Sequence, residues 1–280
     1  MSRADPVRMR LTEAARLAAL QARLLARAQQ PAPRDWLPVV MAGREAGIAS
    51  PEVASYLATG TPHFELIDYR LVLLDDGLDA SGRSALLADC ALRLRDAGLL
   101  RGWRDELLDV RPTPDEAPIG VVERAACRTL GITTTAVHLN AFTPGGELVV
   151  ARRAEHKQID PGLWDNLVGG MVPAGESEEQ ALSREAQEEA GLDLGGIALV
   201  RGGRVHVTRR VPEGFQSEIV QVFDAVLPEG TELRNQDGEV AAIETRSVPQ
   251  VVAAIEGDEF TLEAALVTLD ALLRRNGGPT

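Results

Sequence analysis

Residues 170–192 read GMVPAGESEEQALSREAQEEAGL, a spacing that ties a glycine-bearing loop to one short acidic helix. Ser177 predicts the helix cap, with Gln180 three residues on to complete a capping box. Gly191 predicts the end, where a left-handed residue closes the last turn. At about 100° per residue, Glu185, Glu188 and Glu189 fall within an arc of roughly 100°. Leu182, Ala186 and Ala190 fall beside that arc and are expected to face a core. Three carboxylates crowded on one helix face repel one another. A solvated acidic helix is one reading of such a run. The other is that a hard divalent cation sits among them, because oxygen ligands suit Mg²⁺ or Mn²⁺. Loop, cap, arginine and carboxylates occurring together favour the cation.

The rest of the chain limits the partners. Its 42 acidic residues against 29 basic ones give a formal net charge of −13, which argues against broad nucleic-acid binding. An anionic ligand then needs a local basic patch or a metal. One such patch stands at Arg152, Arg153, His156 and Lys157. It reads either as a phosphate contact or as a solvated strand end. His63, His138 and His206 stand alone and read as structural or exposed. Cys90 and Cys127 are too few for a cysteine-rich zinc site and make no disulfide framework. They are expected to be reduced and buried, in a cytoplasmic protein. No apolar run approaches the roughly 20 residues of a membrane span. The Arg-, Ala- and Leu-rich start has some likeness to an organelle leader, but Asp5, Glu13 and the scarcity of serine favour a plain amphipathic helix over 8–29.

At 280 residues the chain suits two domains. Pro31 and Pro33 stop the first helix. Residues 39–41 predict a short strand, 43–47 a turn and return, and Ser50-Pro51 a helix start that runs to Gly60. Residues 64–74 alternate as one strand, and 81–97 read as a helix. The proline-rich stretch 111–120 marks the boundary between a leading α+β domain, 1–120, and a second domain, 121–280. In the second, 121–130 is expected to be helical, and 133–142, 147–153, 197–208, 218–227 and 240–245 are expected strands. Helices follow at 249–256 and 261–275, then a frayed NGGPT tail. This order predicts a mixed α/β fold.

The pattern of Gly170, Glu176, Arg184-Glu185-Ala186, Glu188-Glu189 and Gly191-Leu192 resembles the Nudix box of the diphosphate-cleaving Nudix hydrolase superfamily, with every defining position filled. The resemblance implies a Nudix α/β/α sandwich with a mixed sheet, here preceded by the smaller α+β domain. It implies a metal site for Mg²⁺ (or Mn²⁺) held by Glu185, Glu188 and Glu189, with Glu176 as an additional contact. Arg184 would orient a box carboxylate and so serve the catalytic Glu188 and Glu189. Which acid deprotonates the attacking water stays open among Glu188, Glu189 and Glu239.

A second resemblance is carried by RRAEHKQIDPGLWDNLVGGMVPAGES, with LPVVMAGREAGIASPEVASYL, GLLRGWRDELLDV, VVERAACRTLGI, NQDGEVAAIE and FTLEAALVTLDALLRRNG. These runs look like the thiamine pyrophosphokinase-related Nudix subfamily, which has a leading domain of unknown function. The chain departs from its pattern at Gly169, where alanine is expected, and at Leu108-Asp109, where Tyr-Pro is usual. The implied activity is hydrolysis of thiamine diphosphate, or of its oxo and oxy forms, to the monophosphate and phosphate. Substrate contacts are then expected from Arg152, Arg153, Lys157, Asp165, Asn166, Gly170 and the Asp237-Gly238-Glu239 turn. Trp164 and Trp36 read as core packing before ring stacking. The alternatives are an ADP-ribose or dinucleotide pyrophosphatase and a non-catalytic Nudix ligand-binding module. The intact box weighs against the module, and also against an isoprenoid diphosphate isomerase. The expected partner is a small-molecule diphosphate, with neither nucleic acid nor membrane, and with the leading domain able to mediate a homodimer.

Overall fold

The computed structural model describes residues 6–157, 159–236 and 238–276, and of 6–12 only the backbone. Asp237 of the expected contact turn and residues 277–280 of the tail lie outside the described residues.

Helix α1 (Pro6–Ala28) leads into a hairpin of β1 (Leu37–Met41) and β2 (Arg44–Ala49), turned by Ala42 and Gly43 at φ 50° and 69°. Ser50 accepts the Val53 amide and starts α2 (Pro51–Gly60) with proline in its first turn. The single strand expected over 64–74 is instead a hairpin of β3 (Phe64–Ile67) and β4 (Arg70–Leu73). Asp68 and Tyr69 both take positive φ there, 47° and 59°, a two-residue turn without the glycine that signals one in sequence. The sheet runs β2-β1-β4-β3. Helix α3 (Ala80–Asp96) closes it, packing Leu87, Cys90, Ala91 and Leu94 against Val39, Met41, Leu57 and Leu71.

The proline-rich connection is also not an open linker. β5 (Leu107–Val110) pairs antiparallel with β6 (Gly120–Glu123), so 111–119 is the loop of a hairpin. The helix expected over 121–130 is thereby split. Val121 and Val122 pair with Asp109 and Leu108, and only α4 (Arg124–Thr129) is helical, with Glu123 at its cap.

The second body holds β7 (Thr133–Phe142), β8 (Leu148–Arg153), β9 (Trp164–Asn166), β10 (Val168–Met171), α5 (Glu178–Ala190), β11 (Leu199–Val211), β12 (Gly214–Val226), β13 (Val240–Arg246), α6 (Val248–Glu256) and α7 (Leu262–Arg275). Its sheet runs β11-β12-β7-β8-β13, with β10 added to β7 and β9 to β8. β7 and β12 are parallel and the other pairs antiparallel, so the sheet is mixed. Alternation along β7 serves two cores. Val137, Leu139 and Ala141 pack under Ala181, Leu182 and Ala186 of α5. Ala136 and Phe142, with Val220 and Val222, face α6, α7 and Leu17, Leu20 and Leu24 of α1. The α/β/α layers expected from the sequence are present, and α1 belongs by packing to the second body. Among the described residues no helix is long and apolar enough to cross a membrane.

The two bodies meet where Ile48 N–H donates to Leu130 O at 2.8 Å. A Cβ on Gly47 would stand 2.3 Å from that same carbonyl. Gly47→Ala is therefore expected to cost about 2–3 kcal/mol of stability. A lower denaturant midpoint at unchanged m-value is the readout, and an unchanged midpoint would show that the junction yields freely.

Candidate active site

Helix α5 begins and ends as its sequence predicts. Ser177 Oγ accepts the Gln180 amide at 3.2 Å while Ser177 N–H donates to Gln180 Oε1 at 2.8 Å. Gly191 takes φ 60°. With Ala181, Leu182, Ala186 and Ala190 buried, the acidic face meets β10. Glu185 lies on bare backbone: a Cβ on Gly170 would come 2.1 Å from its Cδ. Gly169 N–H donates to Glu189 Oε2 at 3.0 Å.

Arg184 gathers the rest. Its Nε stands 3.3 Å from both oxygens of Glu176, its Nη1 2.9 Å from Glu185 and 3.1 Å from Glu188, and its Nη2 donates to Met171 O at 3.4 Å. Burial pushes the Glu185 carboxyl above its ordinary pKa, and Arg184 offsets this only in part. Among the described residues no three acidic, histidine or cysteine side chains stand as a ready-made metal cage, since the guanidinium occupies their centre. The donor set nonetheless fits a hard divalent cation. Glu176, Glu185 and Glu188 each place an oxygen against the Arg184 guanidinium, so three carboxylates lie within reach of one side chain, and oxygen donors of this kind suit such an ion.

On the other side of β10 lies a cavity of about 260 Å³. Gly169 and Met171 pair with His138 and Ala136 of β7, and these four line it. The opposite wall comes from the leading body and α4. Arg101, Arg104, Arg124 and Arg128 line the cavity, joined by Arg153 and Arg209 from the second body. Six arginines thus meet five acids, Asp160, Asp165, Glu213, Glu218 and Glu263, in the same lining, a local excess of positive charge in a chain of net charge −13. Carboxylates set its geometry: Glu123 Oε1 accepts the Arg104 amide at 2.8 Å, and Arg124 Nη1 donates to Glu106 at 2.7 Å.

The expected substrate contacts divide. Arg153, Asp165 and Gly170 line the cavity, with Arg153 Nη1 3.1 Å from Asp165 Oδ2. Arg152 alternates to the other side of its strand and donates to Gly162 O at 3.0 Å. Lys157 pairs with Glu239. Burial pushes Glu239 up, but Lys157, aided by Arg153 and Arg104, holds it below its ordinary pKa. The basic cluster at 152–157 is thus split by strand alternation and by its own counter-ion. Asn166 is a correction. It is buried, its Oδ1 accepts from His138 Nδ1–H at 2.8 Å, and its Nδ2 donates to Asn140 and Thr268 at 2.9 and 3.1 Å, so it orients the His138 ring. Trp164 is core, capped by Arg246 at 3.6 Å, and Trp36 packs edge-on to Phe215. Cys90 and Cys127 are free, buried thiols pushed up to about 12 by burial.

The arginines of RGWRDE and ERAACR are what the sequence reading left without a role. Their signal was available in outline, as arginine pairs three and four residues apart in an acidic chain. Nothing local says that both pairs face one cavity.

A family model described as NUDIX domain matches residues 132–266, and one described as a domain of unknown function, DUF4743, matches 19–134. Nudix hydrolase 20, chloroplastic, of Arabidopsis thaliana is 33% identical over 69% of this chain and 53% of its own length. Nudix hydrolase 24, chloroplastic, of the same plant is 30% identical over 69% of this chain and 54% of its own. The chain thus spans about half the length of these two relatives. The uncharacterized Nudix hydrolase PA4841 of Pseudomonas aeruginosa is 31% identical, over 60% of this chain and 96% of the relative.

Proposed function

This chain belongs to the Nudix hydrolases, and on that premise we propose that it hydrolyses thiamine diphosphate, or its oxo and oxy analogues, to the monophosphate and phosphate. The cavity carries the reading. At about 260 Å³ it falls just below the roughly 300–1,000 Å³ of ordinary ligand sites. It suits one compact heterocyclic group better than a dinucleotide, and its arginines answer a diphosphate. The sequence runs shared with the thiamine pyrophosphokinase-related subfamily support the same substrate.

In this reading Arg124 and Arg153 hold the diphosphate, their planar heads matching phosphate oxygens. Glu185, Glu188, Glu189 and Glu176 would hold the ions, Mg²⁺ or Mn²⁺, which when bound neutralise charge on the P–O–P link and acidify water. Arg184 keeps Glu185 and Glu188 aimed together, and the Gly169 amide fixes Glu189. Glu188, half exposed, accepts the proton of the attacking water. Attack on the terminal phosphorus breaks its bond to the bridging oxygen, and the monophosphate leaves. The compartment in this reading is the cytoplasm.

A substrate panel tests it. With Mg²⁺ or Mn²⁺, phosphate is expected from oxythiamine diphosphate and thiamine diphosphate. Protein that cleaves ADP-ribose readily and leaves both thiamine compounds intact would overturn the substrate, in favour of an ADP-ribose-type pyrophosphatase.

A further inference from the structure

Glu218 on β12 is a buried acid, only 9% exposed, with no hydrogen-bond or ion-pair partner among the described residues. It sits in register with Thr134 of β7, and both line the cavity. Several neighbours that could satisfy it have other partners. Glu263 accepts from Arg209 at 3.2 Å and from Gln216 at 3.0 Å. Thr134 donates to Ser217 O at 3.3 Å, and His138 Nδ1 is held by Asn166 Oδ1. Arg124 and Arg128 on α4 act on Glu218 through charge without touching it, while burial and the charge of Glu263 push its pKa up. Buried polar groups in folded proteins are nearly always paired, and an unpaired carboxyl away from water is costly. One that opens into a cavity is satisfied by what enters that cavity.

We infer that Glu218 is a specificity residue for the organic end of the substrate, taking a hydrogen bond from a ring N–H or an exocyclic amino group of a nitrogen heterocycle. The inference rests on the diphosphate-hydrolysis reading above and deepens it. The arginines answer the anionic tail, which runs toward Gly169 and Gly170, and Glu218 answers the one part of the ligand that arginines cannot serve, a hydrogen-bond donor. The substrate class is therefore a diphosphate of an N–H-bearing heterocycle, an aminopyrimidine or aminopurine, and not of a hydrocarbon.

Glu218→Gln and Glu218→Met test this in the full chain. KM is measured for whichever N–H-bearing diphosphate the parent cleaves, thiamine diphosphate or ADP-ribose, and Ki for isopentenyl diphosphate as a competitor. For the methionine variant KM is expected to rise about tenfold or more, because the ligand's donor is left unpaired. The glutamine variant, which keeps an acceptor, is expected to fall between it and the parent. In both, kcat stays within about threefold and the Ki for isopentenyl diphosphate is unchanged. Equal shifts for both ligands, or no shift in KM, overturn the assignment. So does a variant that fails to fold, since that would show the carboxyl is held by the protein itself. If the parent cleaves none of these compounds the hydrolysis reading fails separately, and Glu218 is then judged from calorimetric Kd values for the same ligands in parent and variants.

Discussion

Glu189→Gln is expected to lower metal-dependent turnover by about 10³-fold or more while the protein stays folded. The separation of effects follows from geometry. Glu189 accepts the Gly169 amide at 3.0 Å, and a glutamine carbonyl oxygen can keep that bond. What glutamine cannot keep is the negative charge, which a cation polarising a P–O–P link needs nearby. Initial rates of phosphate release with Mg²⁺, beside a thermal melt, provide the check, and a chelator should abolish turnover in the parent. Unchanged turnover in Glu189→Gln would remove this residue from the mechanism.

Gly170→Ala is expected to cost about 10²-fold in turnover through a single methyl group. Its Cβ would land 2.1 Å from Glu185 Cδ and 2.2 Å from Oε1. Glu185 is only 16% exposed in its side chain and tied to Arg184 at 2.9 Å, so it can retreat only by breaking the carboxylate arrangement. Displacing a positioned group by about 1 Å is enough for a loss of this size. The neighbouring glycine supplies the contrast. The nearest atoms to a Cβ on Gly169 belong to the His138 ring, at 3.0 Å, on the cavity side of the strand and away from the acids. Gly169→Ala should therefore leave turnover within a few-fold of the parent. Equal losses in the two variants, read as kcat with Mg²⁺, would mean that strand β10 merely tolerates no side chain and that Glu185 is not the target.

Much of the site was legible because its signals are local. Ser177, Gln180 and Gly191 act within a turn or two of themselves, and the spacing of Glu185, Glu188 and Glu189 follows from helix geometry alone. Where local signals were weak, expectation and structure part. The Asp68-Tyr69 turn carries no glycine, and 121–123 joined a strand because its partner lies a loop away at 107–110. The basic cluster at 152–157 looked like one unit in sequence, yet alternation along β8 sends Arg152 and Arg153 to opposite sides, and Glu239, about eighty positions on, claims Lys157.

The residues by themselves determined an acidic helix behind a glycine-bearing loop, capped at one end and stopped at the other, and with it the family resemblance. Only the tertiary structure decided what that helix works beside. Arg101 and Arg104 arrive from a loop of the leading body, Arg124 and Arg128 from a short helix, and Glu218 from β12 of the acidic helix's own body. They meet because β5 pairs with β6 and because Ile48 docks on Leu130. Closures between segments so far apart depend on burial across the whole chain, and no window of neighbouring residues encodes them.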